Sequence, residues 1–202
     1  MRPTLTTLVA SIALFAASAS ADVIVVSPST GDAVQAAVNA AAAGDTLLIQ
    51  GPGVNPSEVV VINGKGLTLI GEAPVGFPGN FDPAFNLRRM AIDNIPAGQS
   101  VTIVHMIVGG PGGDGLILRN NSGALRFVDV SAEGGNGLAE NINGQVATPG
   151  FNGCFISNCA DVVFMRSGIL GGLGGSVLSG LGTATSVGGT GMSIQGSTVS
   201  LY

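Results

Sequence analysis

His105, Asp129 and Arg166 are the residues whose types could run acid–base chemistry: an imidazole, a carboxylate and a guanidinium. Each lies two residues after the last apolar residue of a short strand-like run: Val101-Thr102-Ile103, Leu125-Arg126-Phe127 and Val162-Val163-Phe164. If those runs stack, the three side chains share one edge, with Asp129 between the other two. A catalytic centre also needs a cleft and further partners, which this spacing does not supply. The favoured reading is a turn ladder in which Asp129 neutralises its neighbours, worth at most about 1 kcal/mol when exposed.

Two other groups of residues invite chemistry. Cys154 and Cys159 suggest a disulfide. If Cys154–Ser157 is extended, their Cα atoms lie roughly 12–16 Å apart, beyond the bridging limit of about 7 Å. They are read instead as small buried hydrophobes. Phe77, Phe81 and Phe85 fall in a Pro- and Gly-rich insertion, Ala73–Arg89. Exposed, their faces would suit the apolar faces of pyranose rings, so with His105, Asp129 and Arg166 they form the candidate ligand surface. The favoured alternative tucks them onto the flank, since burying one Phe contributes about 2 kcal/mol.

The elements that must position these residues repeat. Gly115-Leu116-Ile117-Leu118, Gly153-Cys154-Phe155-Ile156 and Gly191-Met192-Ser193-Ile194 are one element at a spacing of 38 residues, and Met90-Ala91-Ile92 is an earlier copy. Each is followed by a second short strand, and a third ends in a glycine pair: Gly109-Gly110, Gly134-Gly135, Gly171-Gly172. Period-2 alternation predicts three inward rows. The first holds Leu116/Leu118, Cys154/Ile156 and Met192/Ile194. The second holds Val101/Ile103, Leu125/Phe127, Val162/Phe164 and Val199/Leu201. The third holds Met106/Val108, Val130/Ala132 and Ser167/Ile169. Asn136–Asn152 and Leu173–Thr190 read as loops leaving the stack.

Upstream, Thr30–Gly71 reads as a helix followed by three strands. Asp32 with Gln35 forms a capping-box-like start. Val34, Ala37, Val38 and Ala41 make one apolar helical stripe, and Gly44 stands where a left-handed C-cap is wanted. The strands are Thr46–Gln50, Glu58–Ile62 and Leu67–Ile70.

This order of helix, glycine, strands and the Lys65-Gly66-Leu67-Thr68-Leu69-Ile70-Gly71 ending resembles the entry of the pectin-lyase-like superfamily. The resemblance implies an all-β, single-stranded right-handed parallel β-helix of about five coils with an N-terminal amphipathic capping helix. Ser57–Gly71 is most similar to the N-termini of pectin methylesterases and pectate lyases. The catalytic sets of the superfamily's enzymes are missing: clustered calcium-binding aspartates with an arginine base, paired aspartates with glutamines, or three aspartates with Gly-His-Gly. Asp129 and Asp161 are isolated, and no catalytic role carries over. Gly109–Ile117 also resembles one calcium-binding nonapeptide of the repeats-in-toxin family, with Asp114 as the candidate carboxylate. The related turns at Gly134 and Gly171 lack the aspartate, and one carboxylate falls far short of the 6–8 oxygens calcium takes. A plain glycine-rich turn is expected, with no metal or cofactor.

Residues 1–21 read as a secretory signal peptide: Arg2, an apolar core Leu8–Ala17, and Ala19-Ser20-Ala21 before Asp22. The β-helix domain is then 22–202, with 6 basic and 12 acidic side chains and a net charge of −6. Scattered Lys and Arg argue against nucleic acid, and no later run is long enough to span a bilayer. Secretion, the cell surface or the periplasm is the expected location. The chain stops at Tyr202 inside a strand. That suggests an incomplete C-terminus, or end-to-end self-association through an open strand edge. The favoured function is a secreted, non-catalytic surface or matrix protein meeting polysaccharide or cell-surface components. The alternatives are the N-terminal part of a polysaccharide lyase or carbohydrate esterase, and an adhesin-like structural rod.

Overall fold

The computed structural model describes residues 21–27, 32–50, 53–72, 85–110, 112–137, 148–174, 176–179, 182–185 and 188–202. Among the described residues thirteen strands form one sheet whose pairs are all parallel. Parallel neighbours buried on one side must meet like on like, which is what the repeat demands.

The first row stacks β3 (Gly53–Asn63), β5 (Phe85–Asp93), β7 (Leu116–Arg119), β9 (Cys154–Ser157) and β14 (Met192–Gln195). Met90 sits on Leu116, Leu116 on Cys154 and Cys154 on Met192, so the 38-residue repeat is a register. The second row runs β1 (Val23–Val26), β2 (Thr46–Ile49), β4 (Thr68–Gly71), the start of β6 (Ser100–Gly109), the start of β8 (Ala124–Glu133), β10 (Asp161–Met165) and β15 (Val199–Leu201). The third row is made by the starts of β3 and β5, the ends of β6 and β8, and β11 (Gly168–Leu170). Val101, Ile103, Leu125, Phe127, Val162 and Phe164 are buried, and the Phe127 and Phe164 rings stack with centroids 4.7 Å apart. Alternate residues of one strand thus fill the interior layer after layer.

Helix α1 (Ala33–Ala40) adds Val34 and Val38 to the same core and packs against β3, β1 and β2. Its ends differ from the expectation. Asp32 makes no side-chain cap. Instead the buried Glu58 of β3 accepts the Gln35 N–H at 2.8 Å, and the Gln35 side chain bonds the backbone of Val61. A carboxylate from the neighbouring strand outcompetes the local one because β3 passes beside the helix start. Gly44 is left-handed (φ 96°) but lies beyond the C-cap, Ala41; its N–H is donated to Gly66.

Three further boundaries shift. β3 begins at Gly53, before Glu58, with a register irregularity between Asn55 and Val59. Residues 85–89, expected in the insertion, are strand: β5 starts at Phe85, pairs with Gly53, and buries Leu87. The 173–190 loop contains an antiparallel hairpin, β12 (Ser176–Ser179) with β13 (Gly182–Thr185).

Candidate functional site

His105, Asp129 and Arg166 occupy one corner of three successive layers, where the second row turns into the third. All three are left-handed, with φ of 54°, 54° and 48°. The corner is built by one residue turning the chain: the strand's alternation breaks there, from half-buried Val104, Val128 and Met165 just before it to buried Met106 and Val130 just after. Holding a non-glycine residue there costs on the order of 1–3 kcal/mol, which the paired strands on either side over-determine.

Arg166 Nε donates to Asp129 Oδ1 at 2.8 Å, and its Nη2 donates to Oδ2 at 2.7 Å. His105 Nε2 meets the same Oδ2 at 3.1 Å. Asp129 is nearly buried, with a side chain 10% exposed, whereas His105 is 42% and Arg166 70% exposed. The Arg166 hydrogen bonds hold the Asp129 carboxyl below the usual range against the opposing effect of burial, with the Arg166 and His105 charges adding to it. The Arg166 guanidinium is pushed up in return.

Chemically this is a committed carboxylate. Three hydrogen bonds engage both oxygens of Asp129, filling three of the roughly four acceptor sites of a carboxylate, and its side chain is only 10% exposed. No hydroxyl or thiol hydrogen-bonds to His105 among the described residues. Among the described residues the corner has the composition of an acid–base relay with no nucleophile hydrogen-bonded to it.

The opposite corner, between the first and second rows, carries a row of asparagines. Asn94, Asn120 and Asn158 are left-handed at 58°, 54° and 54°, flanked by Gly64 and Gly196. Asn94 Nδ2 donates to Asn63 Oδ1 at 3.0 Å and Asn158 Nδ2 to Asn120 Oδ1 at 3.2 Å. Asn tolerates the left-handed region, and its amide both donates and accepts along a stack. Next to it, the buried Asn121 accepts the Ile95 N–H and donates to the Ile92 carbonyl and to Cys159 Sγ. Sequence reasoning missed this row. Its signal was present: Asn94, Asn120 and Asn158 each follow the last inward residue of the first row by two.

The other expected residues are scattered. Asp114 Oδ1 accepts the Asn152 N–H at 2.8 Å, so it ties down the returning 148–152 segment. Among the described residues no group of three or more His, Cys, Asp or Glu could hold a metal. Phe77 and Phe81 lie outside the described residues; Phe85 pairs through its backbone in β5, and its side chain lies outside the described ones. Cys154 and Cys159 are free, buried thiols, and burial pushes the Cys154 thiol far up. At the end of the stack, Phe164, Ser167, Ile169, Met192, Leu201 and Tyr202 line an apolar hollow of about 290 Å³. No described helix is long and apolar enough to cross a membrane.

Comparison with protein-family models, with curated proteins and with solved structures finds no significant match.

Proposed function

We propose that this chain is an exported, non-catalytic scaffold: a right-handed parallel β-helix of the pectin-lyase-like kind, of about five coils, with α1 closing its entry end. Its outward loops and faces meet polysaccharide or other cell-surface components. One observation carries the non-catalytic reading. The cluster that has acid–base composition engages both Asp129 oxygens with Arg166 and His105, and so serves as a clamp between layers.

The test is affinity electrophoresis of the full chain through gels containing acidic or neutral polysaccharides, with product assays on the same polymers. Retardation by at least one polymer without new reducing ends, unsaturated uronates or released methanol is the expected result. Turnover that disappears in Asp129→Asn would overturn the non-catalytic reading, and no retardation by any polymer would overturn the polysaccharide.

A further inference from the structure

Asp45 is a buried acid, 4% exposed, in the turn between α1 and β2. Its Oδ2 accepts the Ala42 N–H at 2.8 Å, and its Oδ1 accepts the backbone N–H of Asp22 at 2.9 Å. Asp22 is held there independently, because its carbonyl accepts the Thr46 N–H at 2.8 Å just before β1 pairs with β2. The residues preceding that nitrogen are Ala19-Ser20-Ala21, small residues at the two positions a signal peptidase reads. Ala21 is exposed.

We propose that Asp45 is a preformed receptor for a new N-terminus: hydrolysis of the Ala21–Asp22 bond leaves the Asp22 α-ammonium paired with the Asp45 carboxylate. This rests on the export proposed above. In the cleavage, water adds across the peptide bond. The acyl side leaves as the Ala21 carboxylate, and the nitrogen takes up protons to become an ammonium. The atom that donated to Asp45 as a neutral amide then donates to it as a cation, with no change in position.

The physical gain lies in the character of that one bond. Before the cut, Asp45 is a desolvated anion held by two neutral N–H groups; hydrogen bonds from Asp22 and then Ala42 keep its carboxyl below the usual range, with a smaller contribution from the Lys65 charge. Lys65 Nζ itself is turned to the Ala41 and Asn39 carbonyls. After the cut, a full positive charge sits at hydrogen-bond distance, and a charge-assisted bond is roughly twice as strong as a neutral one. The remaining ammonium protons face solvent, since Asp22 is exposed. Cleavage one residue earlier or later would place the charge off Asp45. The receptor therefore favours one start residue, and removal of the leader locks β1 onto the stack.

The experiment compares the full chain secreted with its leader against the same chain made without export. Each is prepared with Asp45 and with Asp45→Asn, and intact mass identifies the start residue. The secreted product is expected to begin at Asp22. Processing should raise the Tm of the Asp45 protein by about 2–4 °C more than that of Asp45→Asn, the shift a single added ion pair gives a domain of this size. A start other than Asp22 overturns the cleavage; equal gains in both backgrounds overturn the pairing. Should Asp45→Asn fail to fold, acylation of the Asp22 α-amine in the secreted wild type decides. It is expected to be about tenfold slower folded than in denaturant, the effect of one unit of pKa, and equal rates overturn the pairing. None of these readouts depends on polysaccharide binding, so a failed ligand leaves them intact.

Discussion

Arg166 grips Asp129 side-on, Nε to Oδ1 at 2.8 Å and Nη2 to Oδ2 at 2.7 Å, across two layers whose corner residues are 37 positions apart in the chain. Fork geometry of this kind is specific to arginine. Arg166→Lys is therefore expected to lower the Tm almost as much as Arg166→Ala, measured by circular dichroism. A lysine variant as stable as wild type would mean that charge alone is what matters at this corner.

The same pair makes stability depend on acid. The folded Asp129 carboxyl is held below its unfolded value of about 3.9. Its contribution is complete above that value and is lost as pH falls through the lower folded one. Urea midpoints recorded from neutral pH downward should fall below pH ~4. In Asp129→Asn this part of the fall should be absent. An unchanged acid profile in that variant would remove Asp129 from the explanation.

Val162 and Val163 are adjacent but face opposite ways: Val162 is buried between Leu125 and Val199, and Val163 is half-buried on the outer face. Val162→Asp strands a carboxylate among apolar side chains and should cost about 3–5 kcal/mol, whereas Val163→Asp should cost less than about 1. Denaturant titration of both variants checks this. Equal losses would place the register off by one.

Glycines of the third corner are packed backbone to backbone. Gly172 donates to the Phe151 carbonyl, Gly189 donates to that of Gly172, and a Cβ on Gly172 would overlap the Gly135 carbonyl oxygen. A Cβ on Gly168 meets only Ser131 Oγ, at 4.0 Å. Gly172→Ala should therefore lower the Tm by several degrees, while Gly168→Ala should be neutral or raise stability by up to about 1 kcal/mol through the unfolded chain. Two indistinguishable melting curves would contradict the close packing.

The two ends of the stack differ. Near one, α1 adds Val34 and Val38 to the core; at the other, Leu201 and Tyr202 are exposed beside the apolar hollow. In a chain prepared as residues 22–202 this face is uncovered, and a second copy is expected to meet it with the same face of its own. The contact is isologous and closes at a dimer. Sedimentation velocity over a concentration series should show monomer and dimer, with Ser200→Lys shifting the balance to monomer. A monomer at all concentrations, or open-ended polymers, would refute the tail-to-tail contact.

The inward rows were legible because alternation and the 38-residue spacing report the same thing: which residue lies on which. Leu116, Cys154 and Met192 needed only counting. The His105–Asp129–Arg166 corner followed from its constant offset from the row above. The asparagine corner had the same offset, yet uncharged residues drew no attention as a cluster. What stayed hidden was long-range and polar. Glu58 caps α1 and Asp45 binds Asp22 across 23 residues each, and neither leaves a local pattern, because a carboxylate serving a distant N–H has no spacing rule. The start of β5 was hidden for another reason. Residues 85–89 close the Pro- and Gly-rich insertion and read with it, while their pairing with β3 depends on backbone groups that any residue supplies.

The parallel register also has a mechanical consequence. Hydrogen bonds between layers run along the stacking direction, so tension applied between the two ends loads them end-on and all at once within a layer, whereas the covalent chain within a layer runs across the load. Such a body yields by shedding whole layers from its weaker end. The Asp129–Arg166 fork and the Asn120–Asn158 contact each tie one layer to the next at a corner, where peeling would begin. They act as rivets against tearing, and a spring built this way lengthens in steps of one repeat.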